Sequence, residues 1–419
     1  MRIVHLLRKY NPEEWGGTET ALLRLLDGLR PHGITPIIYA PKNGIDSERD
    51  PLARAGYSVK HFNACVPVWG LPDEQRKQMV SVGGNLMSFD LIKSLVFEPG
   101  VSLIHTHTLG RLGGIAFSIA RHRNLPCVLS IHGGVLDLPP SVKESLNQSQ
   151  SQGLEWGKVF GLLFQSRKLL AEVDAIITVN PREAELLREK YPGRRVHIQP
   201  HGVPTAQYER PNKEAALAAY PQLRDKQILL SVGRLDPVKN QMFLVEQAPA
   251  LFQKHPAAML VFAGACTDKA YGESVRKRIE ELGLQQRILL TGGLAPADPV
   301  LTGLFQLASA VVLPSISETF GLVLLEAWAA GTTVISSRTS GASALIEHGK
   351  NGWLFDLERP DGFHESAEQV LLNSELRKST ARNGQDLARG SYDTDVLAGK
   401  IKSLYDEIIE EKNALRRVA

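Results

Sequence analysis

Short apolar runs rich in β-branched residues recur along most of the chain, with amphipathic helical patterns between them. A strand covered on both faces reads as an unbroken apolar run, and alternation of such runs with helices is the pattern of parallel α/β sheets. In the first half the runs are Ile3–Leu7, Ile34–Tyr39, Leu103–Thr106, Cys127–Ile131, Ala175–Val179 and Val196–Gln199. A helix over Thr18–Leu29 puts Leu22, Leu25, Leu26 and Leu29 on its apolar side. The stretch Ser141–Val173 is expected to hold one or two helices, with Leu162, Leu163, Phe164, Leu169 and Leu170 in the core. Residues 204–226, rich in Pro, Ala and charge, read as a connection between domains. The alternation then restarts with Ile228–Val232, Met259–Ala263, Ile288–Leu290, Ala310–Leu313, Thr333–Ser336 and Trp353–Phe355. Helices are expected near Gln241–Phe252, Glu273–Leu282, Phe320–Ala330 and Ala342–Glu347, and from Pro360 to the end. The fold class is therefore α/β, with two doubly wound domains in series, residues 1–204 and 205 onward. Ligands of such sheets bind beyond the carboxyl ends of the strands, here in a cleft that the two domains face.

At 419 residues the chain exceeds one ordinary domain. Residues 1–205 hold 24 Lys/Arg against 19 Asp/Glu and the remainder 24 against 26. That basic first half suits an anionic membrane face or a polyanionic acceptor, and nothing in it points to nucleic acid. Cys65, Cys127 and Cys266 fit neither metal nor disulfide spacing, which favours a reducing cytoplasm. The first residues carry too short an apolar run for a signal peptide, and no run approaches the ~18 residues needed to span a bilayer. A cytoplasmic protein is expected, with peripheral attachment at the inner membrane face as an option.

The stretch from Leu313 to Gly331 is the most informative. A strand stops at Pro314, a small polar loop follows, and an Ala/Leu-rich helix runs on to Gly331. Glu318 lies in the loop and Glu326 eight positions on. At ~100° per residue, eight steps return to within about 80° of the starting direction, so both carboxylates can address one side of the helix entrance. The amides of Thr319, Phe320 and Gly321 are read as the first turn, where N–H groups lack partners and the dipole favours anions. Phosphate flanked by two polyols describes a nucleotide sugar. After the run Ile228–Val232, Arg234 and Lys239 straddle a tight turn, a fork and a mobile point charge suited to a diphosphate. After the first strand, Gly16-Gly17 opens a helix, without the spacing of a dinucleotide site or a P-loop.

Gly233-Arg234 with Lys239, the Glu-x7-Glu pair Glu318 and Glu326, the Gly16-Gly17 loop, His132-Gly133 after the fourth strand and Asn351-Gly352-Trp353-Leu354-Phe355 occur in an order that resembles a family-4 retaining glycosyltransferase with two Rossmann-like domains, the GT-B fold. The likeness covers nearly the whole chain and is most specific over residues 228–356. It implies an acceptor-binding domain, residues 1–204 joined by a last helix from about 395 to 419, and a donor-binding domain, residues 205–394. Arg234 and Lys239 would hold the donor diphosphate as it departs, and Glu318 would accept from hydroxyls of the transferred sugar. The Thr319, Phe320 and Gly321 amides and Leu322 would lie near sugar and phosphate, and Glu326 would bind the ribose. Gly16 and Gly17 would let their loop approach the β-phosphate or acceptor, and His132 would sit beside the anomeric carbon. Gly292, Gly293 and Leu294 would line the base pocket. The implied chemistry is front-face transfer with retention, the departing phosphate helping to deprotonate the acceptor.

The implied donor is a UDP- or GDP-linked hexose or N-acetylhexosamine, with no cofactor and no metal. The chain's one Asp-x-Asp, Asp393-Thr394-Asp395, precedes the last helix and reads as its N-cap and first turn. In that helix Ile401, Leu404, Ile408 and Ile409 would form the buried face. His105 and His107 have the alternate spacing that puts both rings on one sheet face, which suggests a metal; with no third ligand in view, His107 is read as an acceptor contact. Arg8, Lys9 and Arg111 are the basic candidates for a phosphorylated acceptor. The acceptor is expected to be a lipid-linked or cell-surface polysaccharide intermediate, with a small soluble acceptor as the alternative. Two further readings are a nucleotide-sugar epimerase or hydrolase on the same scaffold and a non-catalytic nucleotide-sugar-binding regulator. The presence of Arg234, Lys239, Glu318 and Glu326 together disfavours the last.

Overall fold

The apolar runs become strands in the computed structural model, which describes every residue except 12–14, 43–49, 71–75, 77–78, 81–82, 85, 134, 138–153, 156–157, 296–297 and 419. Glu14, Gly134 and residues 141–153 of the long amphipathic stretch thus lie outside the described residues. The chain divides into two units, Met1–Pro200 with Leu397–Ala419, and His201–Val396.

The first unit contains β1 (Arg2–Leu6), β2 (Thr35–Pro41), β3 (Val59–Phe62), β4 (Val68–Trp69), β5 (Leu103–Thr106), β6 (Cys127–Ile131), β7 (Leu154–Glu155), β8 (Ala175–Thr178) and β9 (Val196–Ile198). Strands β4 and β7 pair with each other, and the rest form a seven-stranded parallel sheet in the order β3-β2-β1-β5-β6-β8-β9. The edge strand β3 escapes the sequence reading because Lys60 and His61 face solvent, so no apolar run marks it. Helices α1 (Gly17–Leu29), α2 (Gly110–His122), α3 (Lys158–Leu163) and α4 (Pro181–Lys190) belong to this unit. Successive residues of each strand enter different cores. Val4, Leu6, Ile104, Leu129 and Ile176 pack with Leu112, Ile115 and Phe117 of α2. Ile3, Leu103, Val128, Ala175 and Ile177 pack with Ile401, Leu404, Tyr405 and Ile408 of the last helix, and Ile409 lies at their margin. Burial on both faces is why these strands read as continuous apolar runs.

Leu162 and Leu163 are not core residues: they are 75% and 63% exposed. On the short helix α3 the inward side is taken by Phe160 and, just beyond its end, Phe164, both packed against the core. Leu169 is buried as expected and Leu170 partly so.

In the second unit, α5 (Thr205–Glu209) and α6 (Lys213–Ala219) fill much of the stretch read as a connection. Strands β10 (Gln227–Val232), β11 (Ala258–Ala263), β12 (Ile288–Gly292), β13 (Ala308–Leu313), β14 (Val334–Ser337) and β15 (Trp353–Phe355) form a parallel sheet in the order β12-β11-β10-β13-β14-β15. Its helices include α7 (Gln241–Lys254), α8 (Lys269–Glu281), α9 (Pro299–Leu307), α10 (Leu322–Ala329) and α11 (Ser340–Leu345). The last helix, α12 (Thr394–Val418), begins at the second unit and belongs to the first from Leu397. Asp393 caps it by accepting from the Asp395 amide at 2.9 Å, while its other oxygen accepts from the Thr205 hydroxyl at 2.5 Å.

In both sheets the strand order reverses once, between β1 and β5 and between β10 and β13. Helices leave opposite faces on the two sides of such a point and open a crevice at the strands' carboxyl ends. The loops after β1, β5, β10 and β13 are therefore where chemistry is expected.

Candidate active site

In the second unit, β10 is followed by Gly233, at φ +154°. The following turn closes on Asp236, whose carboxylate accepts from the Lys239 amide at 3.0 Å while its other oxygen lies 3.0 Å from Arg234 Nη2. Gln241 donates to the Arg234 carbonyl at 2.9 Å. The backbone runs so near β11 that a Cβ on Gly264 would lie 1.9 Å from the Gly233 carbonyl oxygen. Only glycine fits there.

The loop after β13 meets this turn directly. Ile316 donates its amide to the Val238 carbonyl at 2.8 Å, and Lys239 Nζ lies 2.5 Å from Glu318 Oε2. Both side chains are largely covered, 24% and 21% exposed. The Glu318 carbonyl accepts from the Gly341 amide at 2.8 Å, and a Cβ at Gly341 would fall 2.5 Å from the Phe320 nitrogen. Two loops far apart in sequence thus bring Arg234, Lys239 and Glu318 to one place.

The expected first turn needs correction. Gly321 has φ +94° and ψ +57°, a left-handed conformation that cannot continue into an α-helix, and the helix starts at Leu322. Thr319, Phe320 and Gly321 precede it, so the angular spacing of Glu318 and Glu326 along one continuous helix does not apply. Glu326 lies on α10 and is 7% exposed. Phe320 is buried against the ring of His201, centroids 5.1 Å apart. Gly292, at φ +74°, accepts from the Gly264 amide at 2.9 Å, which sets it and the half-buried Leu294 beside the β11 loop.

In the first unit, Gly16 is the extended N-cap of α1 and Gly17 its first residue. Glu19, buried in that first turn, folds back so that a Cβ on Gly16 would meet its carboxylate at 2.9 Å. Lys9 and the exposed Arg8 follow β1, and Arg111 is buried in the first turn of α2.

The strand ends also carry an array of imidazoles. His5 of β1 and His105 of β5 are register partners. His107 and His132 lie just past the ends of β5 and β6. His107 is 6% exposed, with Nδ1 2.8 Å from His132 Nε2 and Nε2 3.1 Å from His5 Nδ1. His107 is thus placed inside a chain of rings rather than presented on an open surface as an acceptor contact would be. Burial lowers the His5 pKa to about 3. Burial first, and then the nearby Arg8 charge, lowers that of His132 to about 4. Both rings are neutral near pH 7.

His5 supplies the third histidine that the spacing of His105 and His107 left unseen; the three offer ring nitrogens within 4.8 Å of one another. They fit a metal poorly. His105 is already held through Nδ1 by Tyr405 Oη at 2.6 Å and through Nε2 by Ser130 Oγ at 2.7 Å. His107 is bracketed by imidazoles at both nitrogens.

The loop carrying His132 is pinned by a residue the sequence did not flag. Glu183, fully buried in the first turn of α4, accepts from the successive amides of Val135, Leu136 and Asp137 at 2.8–3.2 Å. In sequence it reads as an ordinary first-turn acid after Asn180-Pro181. His5 likewise is hidden inside an apolar run, its polarity in such a strand being the one available signal.

Two doubly wound parallel sheets, with a basic and acidic cluster at the strand ends of the second, define a GT-B glycosyltransferase. Two family profiles agree, "Glycosyltransferase Family 4" over residues 15–207 and "Glycosyl transferases group 1" over residues 212–387. The chain belongs to the family-4 glycosyltransferases. A D-inositol 3-phosphate glycosyltransferase of Corynebacterium glutamicum is 24% identical over 95% of this chain and 93% of its own. An alpha-D-kanosaminyltransferase of Streptomyces kanamyceticus is 25% identical over 85% and 91%. Among solved structures, the Anabaena protein HepE in complex with UDP and glucose superposes with a TM-score of 0.72 at 18% identity, covering 97% of this chain and 99% of that one. A sucrose-phosphate synthase from Thermosynechococcus elongatus gives 0.73 at 20% identity, covering 98% and 99%. Among the described residues no helix is long and apolar enough to cross a membrane.

Proposed function

We propose that the enzyme moves a hexose or N-acetylhexosamine from a UDP- or GDP-sugar to an acceptor hydroxyl, retaining anomeric configuration and needing no metal. The contact between Lys239 and Glu318, with Arg234 beside the same turn, is the observation that carries this reading. Glycosyl transfer builds negative charge on the departing diphosphate, and fixed cations facing that charge are the main aid available. In the donor complex Lys239 exchanges Glu318 for phosphate oxygens, and Arg234 grips the diphosphate with its fork. Glu318, released, accepts from sugar hydroxyls, and Glu326 accepts from the ribose. The amides of Thr319, Phe320 and Gly321 and the entrance at Leu322 meet sugar and phosphate, while Gly292 and Leu294 border the base. Gly16 and Gly17 admit the β-phosphate or acceptor, and His132 sits beside the anomeric carbon. The departing phosphate takes the acceptor proton on the same face, so no carboxylate nucleophile is required.

Arg111 and Arg8, the latter close enough to depress the His132 pKa, favour an acceptor that carries phosphate. The exposed Leu162 and Leu163, with Lys168 nearby in sequence and 59% exposed, favour a lipid-linked acceptor met at a membrane surface. A soluble polyol phosphate, of the kind named in the corynebacterial relative, is the alternative. Incubation with radiolabelled UDP- and GDP-sugars, with membrane extract or with inositol phosphates, tests the proposal. Label in a lipid or glycan fraction, with the anomeric configuration of the donor and an unchanged rate in EDTA, is the expected result. An isomerised nucleotide sugar, or binding without turnover, overturns it.

A further inference from the structure

The turn after β10 and the loop after β13 hold two acids as well as two cations. From the way one of these acids is fixed we infer that Asp236 promotes exchange of spent nucleoside diphosphate for fresh donor, by weakening the product more than the donor. The inference rests on the reading of Arg234 and Lys239 as the diphosphate cations.

The resting cluster is self-neutralised. Lys239 is paired with Glu318, and Arg234 with Asp236, whose Oδ2 lies 3.0 Å from Nη2. Among the described residues no other acid lies within ion-pair reach of Arg234. The two acids differ in how they are held. The Glu318 carboxylate has Lys239 as its hydrogen-bond partner, and rotation about its own side-chain bonds can carry it to a sugar hydroxyl. Asp236 cannot follow. Its Oδ1 accepts from the Lys239 amide at 3.0 Å, and its carbonyl accepts from the Lys239 and Asn240 amides at 3.1 and 3.3 Å. Leu235 before it is buried, its amide on the Ala265 carbonyl at 2.8 Å. Swinging the Asp236 carboxylate away would undo the turn that presents Lys239. Its Oδ2 makes no aligned hydrogen bond, so the contact with Arg234 is one of charge alone and is readily shared with a phosphate oxygen.

A fixed carboxylate beside two phosphate-binding cations repels whatever diphosphate they hold. The Asp236 side chain is only 11% exposed, so water and salt screen that repulsion little. The two diphosphates that the site must hold differ in charge. In the donor the outer phosphate is esterified to the sugar. In the product it is a terminal phosphate, with a second pKa of about 6, and near pH 8 it carries close to one more negative charge. Arg234 and Lys239 acting alone would therefore hold the product more tightly than the donor, and Asp236 offsets that preference. One unit charge acting over ~10 Å in partly exposed surroundings alters an affinity by roughly 4- to 15-fold.

The test is Asp236→Asn in the full-length protein, which keeps the oxygen that caps the turn and removes the charge. Calorimetry at pH 8 gives Kd for UDP, UDP-glucose, GDP and GDP-mannose. In the variant the nucleoside diphosphate should bind more tightly, and its affinity relative to the matching nucleotide sugar should rise by roughly 4- to 15-fold. Inhibition of turnover by added product should strengthen in step, with the melting temperature nearly unchanged. Asp236→Ala also removes the cap; it should melt lower yet move the ratio in the same direction. A merely structural role predicts instead that asparagine leaves both affinities as they were and alanine weakens both. That result, or donor and product tightening equally, would overturn the inference while leaving the donor site in place. Wild-type protein that binds none of these ligands would overturn the donor-site reading, and this inference with it.

Discussion

Lys239 and Glu318, 79 residues apart, meet at 2.5 Å between the turn after β10 and the loop after β13. An ion pair of this partial exposure adds only about 0.2–1 kcal/mol to stability. On the proposed reading its interest lies in what each partner is released to do when a diphosphate arrives.

Lys239→Ala should therefore fold nearly as well as the wild type, with a melting temperature changed by a few degrees at most. Its kcat should fall by roughly 10²- to 10³-fold, the scale of losing one donor aimed at developing negative charge. Lys239→Arg keeps charge but brings a planar fork to a point-charge position and should recover little. Steady-state rates with the donor identified by radiolabel check this, and a near-wild-type kcat for the alanine variant would remove Lys239 from the diphosphate.

On the proposed reading Glu326 accepts from the ribose at the other end of the nucleotide. A carboxylate accepting from ribose hydroxyls makes charge-assisted bonds worth about 1.5–3 kcal/mol each. Glu326→Ala should weaken UDP or GDP binding by roughly 10- to 100-fold while leaving inorganic diphosphate binding unaltered. Calorimetric titration with both ligands separates the two.

That Arg234, Lys239 and Glu318 come together is legible because a strand end, a glycine and a charged pair leave marks in sequence. What could not be read was close approach. Nothing in Ser340-Gly341-Ala342 announces that its backbone presses on Phe320, and Gly264 looks like any glycine ending a strand. The Phe320–Ala330 helix was placed early because helical periodicity continues through Gly321, and a left-handed φ has no sequence signature beyond the glycine itself. Leu162 and Leu163 were misplaced since periodicity cannot say which side of a six-residue helix faces inward. The imidazole chain was half visible: His105 and His107 share a strand and its extension, whereas His5 joins them only through the β1–β5 register.

Gly341→Ala tests that close approach. The added methyl overlaps the Phe320 nitrogen, a backbone atom that cannot turn aside, so the Glu318–Phe320 loop must shift. A stability loss of about 1–3 kcal/mol is expected from such overpacking, with weaker donor binding. Urea unfolding and donor titration measure the two effects. An unperturbed variant would mean that the loop is looser than its contacts indicate.

Glu183 is expected to be worth more to the His132 loop than its first-turn position suggests. Glu183→Ala strands the amides of Val135, Leu136 and Asp137, each unpaired group costing about 1–3 kcal/mol unless water reaches it. Glu183→Gln retains one acceptor oxygen and should lose less. Unfolding midpoints should rank wild type above glutamine above alanine, with kcat following the same order. A loss in stability with kcat intact would confine Glu183 to a structural role.

Acid should expose the buried rings. For His5 and His132 the folded pKa lies at about 3 and about 4, below the ordinary 6.5. Below pH 6.5 the unfolded chain takes up protons that the folded protein refuses. The stability these neutral rings support is therefore complete above pH 6.5 and drains away as pH falls toward the folded values. By linkage each ring accounts for about 2 kcal/mol of loss between pH 7 and pH 5. His5→Leu should remove its own share, so the difference in unfolding free energy between those two pH values should shrink by about 2 kcal/mol relative to the wild type. Urea denaturation at both pH values gives the comparison. An undiminished difference would mean that His5 takes up its proton readily in the folded protein, against what its complete burial implies.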